Sequence, residues 1–278
     1  MKALAILFGI FAVESCVWAQ DAYKSPYSVK FTFSPKDLLG DLEGSRGDIK
    51  NESSIKFSSW YADGTKSRYG VWGPPAQHFG PPAGLAQRDP EWMRQRVIAV
   101  AMRFQGYHYQ HHHVPDWDPP ADWPYKESPA GHQTKGVDCS NFTSFVYNVA
   151  LGLKPTGATK EQSEITEVPG PGEGRTSKVV RIEKPATHAD FMRTLKTGDL
   201  LFIDGKPGGE VTHVVLWVGK IGVSRGDAPL VLDSTGEGRK DEDGKEIPDG
   251  VQLRPFTPDS WYCRSASHAL RLIPDGTK

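Results

Sequence analysis

The sequence predicts an α+β fold in which helices pack on an antiparallel β-sheet. The apolar residues of segments 93–104 and 142–149 recur at helical spacing, whereas short strand-like segments follow one another from residue 199 to residue 273. The connections between the later segments are short, and Asp204-Gly205 marks a hairpin turn. Helices that precede most of the strands, together with short connections, favour the α+β class.

The first helix of the main domain is predicted to begin at Asp89-Pro90, an N-cap followed by a proline at the first helical position. Its buried stripe is predicted to contain Met93, Val97, Val100, Ala101 and Phe104.

The second helix carries the most informative motif of the chain, Gly136-Val137-Asp138-Cys139-Ser140. Asp138 is a good N-cap, Gly152 supplies a stop, and the apolar residues between them follow the spacing of a buried helical stripe (Phe142, Phe145, Val146 and Val149). Cys139 is therefore predicted in the first turn, where unpaired backbone N–H groups and the helix dipole favour a thiolate. The same N–H groups could hold an oxyanion.

A candidate base and its orienting group lie on two later strands. His213 begins the apolar segment His213-Val214-Val215-Leu216-Trp217-Val218, in which Val214, Leu216 and Val218 would share one face. An antiparallel return through Leu230-Val231-Leu232-Asp233 would bring Asp233 near His213, where a carboxylate could fix the tautomer of the ring.

The other elements follow from turn residues and alternation. We predict a strand at 179–182, a helix at 188–195, a charged surface loop at 236–250, and strands at 199–203, 213–218, 229–233, 251–255 and 268–273.

A small β-rich extension is predicted before the main domain. Residues 27–33 alternate in polarity, and alternation at Ile55, Phe57, Ser59 and Tyr61 leads into a hairpin turn at Asp63-Gly64. Residues 69–83 are rich in Pro and Gly and are predicted to form a surface linker. The predicted organisation is a signal peptide at 1–19, the extension and linker at 20–88, and the main domain at 89–278.

These motifs resemble, in order, those of the NlpC-type cysteine peptidases of bacterial cell walls, a papain-like α+β family. The resemblance covers roughly residues 90–275 and is carried by Gly106-Tyr107-His108-Tyr109, Asp138-Cys139-Ser140, Gly152-Leu153-Lys154-Pro155 with Gln162, Gly198-Asp199-Leu200-Leu201-Phe202, and His213-Val214. It implies Cys139 as nucleophile, His213 as base and Asp233 as third residue. It also implies Tyr109, Asp138 and Ser140 around the oxyanion or the substrate.

The chain departs from the family pattern at three places. His108 stands where the family has proline, and the third position is more often histidine than Asp233. The segment between Tyr109 and Cys139 is unusually long and contains His111-His112-His113, Trp117, Trp123 and Tyr125. Three consecutive histidines cannot all face one ion from regular structure, so we favour a solvated or substrate-facing loop over a metal site and predict neither metal nor cofactor.

The N-terminal residues indicate export. Lys2 precedes an apolar run, and Val17-Trp18-Ala19 offers a signal-peptidase site, which predicts a secreted or periplasmic protein. A lipoprotein signal at Cys16 is the alternative, although Glu14 fits it poorly. Without residues 1–19, Cys139 and Cys263 remain and could form a disulfide; we favour free thiols because Cys139 opens a helix.

The resemblance implies hydrolysis of amide bonds in peptidoglycan stem peptides, most often between D-glutamate and a diamino acid. Peptidoglycan or its muropeptides are thus the expected partners. The net charge of −1 gives no electrostatic case for nucleic acid or an acidic membrane, and no stable membrane insertion is expected. An acyltransferase, a non-catalytic wall-binding or inhibitor protein on the same fold, and a metal-dependent protein built around the histidines are the alternatives.

Overall fold

The computed structural model describes residues 23–43, 59, 62–69, 78–110, 137–170 and 174–275. Its α-helices are α1 (Pro35–Leu39), α2 (Asp63–Tyr69), α3 (Pro90–Met102), α4 (Cys139–Leu151), α5 (Thr159–Ser163), α6 (His188–Thr194) and α7 (Trp261–Arg264). Its strands are β1 (Ser28–Val29), β2 (Glu167–Pro169), β3 (Thr176–Lys178), β4 (Val180–Glu183), β5 (Leu200–Asp204), β6 (Val211–Gly219), β7 (Gly222–Val223), β8 (Leu230–Thr235), β9 (Arg239–Lys240), β10 (Glu246–Ile247), β11 (Gly250–Pro255) and β12 (Ala266–Arg271). The predicted α+β class is confirmed.

The central element is a 6-stranded antiparallel sheet in the order β11-β8-β6-β5-β12-β4. Helices α3 and α4 pack on each other and share a hydrophobic core with the face that carries Val214, Leu216 and Val218, as predicted. The opposite face, which carries Val215 and Trp217, is covered by residues of α6 and α7. The middle of the sheet is therefore buried on both faces.

The two long helices begin as the sequence predicts. The Asp89 side chain accepts a hydrogen bond from the backbone N–H of Trp92 at 2.7 Å and caps α3, with Pro90 in the first turn. Gly152 ends α4 in the left-handed conformation at φ 71°, a position that glycine adopts without the steric penalty of a side chain. The start of α3 and the end of α4 are therefore determined by residues next to each helix.

Residues 23–43 lie against α3. The Arg96 guanidinium is fully buried and donates to the Asp41 carboxylate at 2.7 Å and to the Leu38 carbonyl, while the Trp92 indole donates to Asp37 at 2.9 Å. This segment is integrated with the packing of the first long helix. The predicted domain boundaries at 19, 88 and 89 stay predictions.

The predicted β-rich character of the extension is wrong for several of its described residues. Only Ser28–Val29 of segment 27–33 forms a strand, paired with Gly222–Val223. Asp63-Gly64 begins α2 instead of forming a hairpin turn, and the Thr65 hydroxyl donates to the Ser59 carbonyl at 2.8 Å. Aspartate also suits the first turn of a helix, where its charge complements the dipole, so the local signal fits both structures. Ile55, Phe57 and Tyr61 lie outside the described residues.

Other predicted elements have small adjustments. The strands predicted between 179 and 273 and the helix at 188–195 are confirmed to within two residues at their ends. The segment 236–250, predicted as a loop, contains the short β9–β10 hairpin. None of the helices in the described ranges is long and apolar enough to cross a membrane. The predicted signal peptide lies outside those ranges.

Candidate active site

The first turn of α4 holds Cys139. Its N-cap Asp138 accepts hydrogen bonds from the backbone N–H of Asn141 at 2.8 Å and from the Asn141 side-chain amide at 2.7 Å. The thiol side chain therefore projects from a fixed helix start, beside backbone N–H groups at the positive end of the helix dipole. Cys139 is a free thiol and is buried.

His213 lies near the start of β6, and Asp233 lies on the neighbouring strand β8. The His213 Nε2 atom is 2.6 Å from the Asp233 Oδ1 atom, and both side chains are buried. A carboxylate only accepts hydrogen bonds, so Nε2 carries a proton and donates to Asp233. The Nδ1 atom is then the ring nitrogen that is left for the Cys139 thiol.

The charges around His213 favour the imidazolium. Burial alone would lower the pKa of His213, but the negative charge of Asp233 and the hydrogen bonds with Cys139 and Asp233 outweigh burial and raise this pKa to about 10. Burial would raise the pKa of Asp233, but the charge and hydrogen bond of His213, the charge of Arg254 and the hydrogen bond of Tyr262 together outweigh burial and lower it. The two groups thus hold each other in their charged forms.

The second carboxylate oxygen of Asp233 contacts two residues that sequence reasoning missed. The Tyr262 hydroxyl donates to Asp233 Oδ2, and the Arg254 Nε atom lies 3.5 Å from the same oxygen. The Arg254 and Asp233 side chains are both fully buried. Asp233 is therefore held on one side by the imidazole and on the other by a phenol and a guanidinium. The buried position of Arg254 had no signal in the sequence.

Tyr109 lies at the same site. The charges of Cys139, Asp138 and Asp233 all contribute to raising the pKa of its hydroxyl, after burial, which is the largest cause. Its ring packs against Gly236, since a Cβ at Gly236 would lie 2.9 Å from the Tyr109 Cδ1 atom. The hydroxyl stays protonated at neutral pH and is available as a hydrogen-bond donor.

Ser140, the residue after Cys139, takes part in a small polar cluster. Its hydroxyl donates to the Gly157 carbonyl at 2.7 Å and accepts from the Thr159 hydroxyl at 3.1 Å. The Thr159 Oγ1 atom is itself 3.7 Å from the Cys139 Sγ atom. Thr159 is thus a neighbour of the thiol that sequence reasoning did not single out.

The chain just before Cys139 is fixed from two sides. The backbone N–H of Val137 donates to the His108 carbonyl at 3.1 Å, and the Val137 carbonyl accepts from the Ser234 hydroxyl at 2.5 Å. The His108 Nδ1 atom also lies 3.0 Å from the Asp249 carboxylate. The position where the family has proline therefore forms a side-chain contact with the segment before β11.

The remaining candidate residues separate into two groups. Cys263 is a free, half-buried thiol, so no Cys139–Cys263 disulfide is present. His111, His112 and His113, together with Trp117, Trp123 and Tyr125, lie outside the described residues. Within the part of the chain that the structure describes, no cluster of His, Cys, Asp and Glu could hold a metal ion.

The arrangement combines the groups required for acyl transfer. A helix-start thiol faces an imidazole, and a buried carboxylate fixes the tautomer of that imidazole. Backbone N–H groups at the start of α4 and the Tyr109 hydroxyl are the donors near the sulfur that could hold an oxyanion.

Comparison with known proteins finds one family model that matches the chain around this site. Residues 123–238 match the model of the NlpC/P60 family, and this range contains Cys139, His213 and Asp233. No curated protein matches the chain.

Solved structures of NlpC/P60 proteins and peptidoglycan hydrolases are similar to this chain at low identity. An NlpC/P60 family protein from Bacillus cereus is 21% identical, with 65% of this chain and 40% of that chain covered and a TM-score of 0.37. The peptidoglycan hydrolase RipB from Mycobacterium tuberculosis is 21% identical, with 70% and 73% covered and a TM-score of 0.35. The NlpC/p60 domain of the peptidoglycan hydrolase SagA is 20% identical, with 64% and 97% covered and a TM-score of 0.32. The chain thus spans less than half the length of the Bacillus cereus protein.

Proposed function

We propose that this chain is a cysteine peptidase that hydrolyses amide bonds in peptidoglycan stem peptides, because its residues 123–238 match the model of the NlpC/P60 family. The family consists of cysteine peptidases and peptidoglycan hydrolases. The observation that carries the proposal for this member is the contact chain Cys139–His213–Asp233, built from three different elements and buried from solvent.

The proposed reaction is acyl transfer through Cys139. The thiolate attacks the carbonyl carbon of the substrate amide, and the negative charge that develops on the carbonyl oxygen is held by N–H groups at the start of α4 and by Tyr109. The His213 imidazolium then protonates the leaving amine. A water molecule, deprotonated by His213, releases the acyl group and restores the thiolate–imidazolium pair.

Asp233 has the positioning role in this proposal. Its carboxylate orients the ring through Nε2 and stabilises the positive charge on His213. Tyr262 and Arg254 hold the carboxylate in turn. The proposed bond is the one between D-glutamate and the diamino acid, which the family resemblance supports.

The proposed place of action is outside the cytoplasm, either secreted or in the periplasm. Support comes from the signal-like residues 1–19, and a lipid anchor at Cys16 is the lesser alternative. An acyltransferase would use the same thiol and the same base with a different acceptor. A wall-binding or inhibitor protein would have no need of a thiol paired with an imidazole.

Mass spectrometry of muropeptides tests the proposal. Purified peptidoglycan fragments are incubated with the wild type, with Cys139→Ala and with the wild type in the presence of a chelator. We expect new free amines and carboxylates at one bond with the wild type, none with Cys139→Ala, and unchanged cleavage under chelation. Products that persist in Cys139→Ala, or that vanish with the chelator, would contradict a thiol mechanism. Binding without any cleavage by the wild type would favour the wall-binding alternative.

A further inference from the structure

Residues 236–239, which comprise the connection from β8 to β9 and the first residue of β9, form one border of the site. This segment starts at Gly236, which packs against the ring of Tyr109, and it ends at Arg239, whose guanidinium carbon lies 4.8 Å from the centre of the Trp261 ring. The Trp261 ring in turn lies 5.5 Å from the His213 ring, centre to centre. Arg239 is thus one aromatic ring away from the proposed base.

The guanidinium of Arg239 lies over the Trp261 ring and has two internal hydrogen-bond partners, Glu237 and Tyr262. Its NH1 group donates to Glu237 at 2.8 Å, and the Glu237 side chain is 78% exposed while that of Arg239 is 25% exposed. An exposed ion pair of this kind contributes little stability and exchanges readily. A guanidinium has five N–H donors, and stacking on an aromatic ring fixes its plane for bidentate binding of a carboxylate.

Arg239 is a partly exposed cation, and an external anion can replace its exposed partner Glu237. The charge of the buried Asp233 carboxylate also acts on Arg239, but the oxygens of that carboxylate are engaged by His213, Tyr262 and Arg254. Glu237, which is mostly in solvent, occupies the place that a substrate carboxylate would take.

The position relative to His213 indicates which half of the substrate would reach this cation. The imidazolium must come within hydrogen-bonding distance of the leaving amine in order to protonate it. Trp261 contacts that same ring, and Arg239 lies over the Trp261 ring, so both side chains lie beside the atom that would protonate the leaving amine. We propose that Trp261 and Arg239 form a subsite for a carboxylate on the leaving-group half of the substrate. This inference rests on the proposed function and adds a substrate feature to it.

A pair of synthetic muropeptides tests the subsite. The two substrates are identical except that the leaving residue carries either a free carboxylate or a carboxamide. We expect the wild type to prefer the carboxylate, and Arg239→Gln to lower kcat/KM for it by about tenfold to a hundredfold, mainly through KM, as expected for loss of a charge-assisted hydrogen bond. The same variant should change kcat/KM for the carboxamide by less than about threefold, and Arg239→Lys should keep part of the preference.

Two control variants separate recognition from general effects. Glu237→Gln removes the internal competitor and should lower KM for the carboxylate substrate. Arg225→Gln breaks another exposed ion pair, that with Asp243, and should leave both substrates unaffected. An equal loss on both substrates in Arg239→Gln would show that Arg239 only supports the fold of the site, and would overturn the subsite.

A measurement of peptide binding tests the subsite independently of hydrolysis. Calorimetry with Cys139→Ala should give tighter binding of the carboxylate peptide than of the carboxamide peptide, and adding Arg239→Gln should abolish the difference. Carboxylate preference in binding without cleavage by the wild type would reject the proposed function but retain the subsite. Equal binding of the two peptides to Cys139→Ala would reject the subsite.

Discussion

The His213 Nε2 atom and the Asp233 Oδ1 atom are 2.6 Å apart, although the residues are separated by 20 positions and lie on neighbouring strands. Strands β6 and β8 pair antiparallel with Leu216 opposite Leu232, which puts His213 and Asp233 in diagonal positions on one face. The contact is therefore a consequence of strand register. A one-residue slip of β8 would move Asp233 to the other face and remove it.

Replacing the Asp233 charge should reduce turnover and move the pH profile. Asp233→Asn keeps the hydrogen-bonding shape but cannot stabilise the imidazolium, so we expect kcat to fall by on the order of ten- to a thousandfold. Burial lowers the pKa of His213, but the charge of Asp233 opposes burial and helps to raise this pKa to about 10. Without that charge, the pKa of His213 should fall. The alkaline loss of activity should then begin at a lower pH than in the wild type.

The His213–Asp233 pair also makes the free energy of unfolding depend on pH. A raised pKa means that the charged His213 stabilises the fold fully below its unfolded pKa of 6.5 and that this stabilisation is lost as the pH rises towards 10. Asp233→Asn should flatten this dependence, measured as the free energy of unfolding from pH 6 to pH 10. Full activity together with an unchanged pH profile would reject the role of Asp233 and direct attention to Ser234 or Glu237.

Cys139→Ser should abolish turnover and leave the fold intact, because the hydroxyl is far less ionised at neutral pH than a thiol. Cys263→Ser is the matched control, since Cys263 is the other free thiol of the described chain and burial raises its pKa. We expect Cys263→Ser to keep wild-type activity and a small alkylating agent to label Cys139 before Cys263. Equal labelling rates for the two thiols would contradict the assignment of Cys139 as the nucleophile.

Removing the hydroxyl of Tyr262 should weaken catalysis through Asp233. Tyr262→Phe leaves Asp233 Oδ2 with only the longer contact to Arg254, so we expect kcat to fall about tenfold. Burial is the largest influence on the pKa of Asp233 and raises it, whereas this hydrogen bond acts with the charge of His213 to lower it. In the variant that carboxylate is protonated at a higher pH, and the loss of activity in acid should begin at a higher pH.

Tyr147→Phe is the control for this effect. The Tyr147 hydroxyl is also buried and donates to the Gly198 carbonyl at 2.5 Å, away from the thiol and the imidazole. Both variants lose one buried hydrogen bond and should lose similar stability. Only Tyr262→Phe should change the pH–rate profile, and a similar kinetic change in both would show a purely structural role for Tyr262.

The parts of the site that the sequence predicts are those encoded by local patterns. Cys139 follows from an N-cap and a helical stripe, and His213 and Asp233 follow from two strands joined by a short connection. Arg254 could not be predicted in the same way, because alternation in Val251-Gln252-Leu253-Arg254 suggests that Gln252 and Arg254 face solvent. Both are buried.

A second hydrophobic cluster explains this difference. It covers the face of the sheet opposite α3 and α4 and includes Phe256 and Tyr262. Tyr262 reaches Asp233 from α7, which comes after β11 in the chain, so no local spacing relates the two residues. At Asp63-Gly64 the local sequence is ambiguous, because this dipeptide is compatible with a hairpin turn and with a helix start. In the structure it starts α2, and the Thr65 hydroxyl forms a hydrogen bond with the Ser59 carbonyl.

The close approach of Gly250 to the segment before Tyr109 leads to the last prediction. Gly250 has φ 77°, and a Cβ there would lie 2.0 Å from the Tyr107 carbonyl oxygen, a backbone atom that cannot rotate away. In the same stretch, the Val251 N–H donates to the Tyr107 carbonyl and the Gly106 N–H donates to the Val251 carbonyl, each at 2.8 Å. Gly250→Ala should therefore push residues 107–109 away from β11, displace Tyr109, and reduce both stability and turnover.

Gly244→Ala separates this clash from the cost of the backbone conformation. Gly244 has φ 76°, nearly the same as Gly250, but a Cβ there meets nothing within 4 Å. Both variants should lose about 1–2 kcal/mol from the left-handed conformation, whereas only Gly250→Ala should lose several kcal/mol more and show a fall in kcat. Thermal unfolding and kinetics of the two variants check this directly. Similar stability and similar kcat in both would mean that the contact between Gly250 and Tyr107 does not position the Tyr109 side of the site.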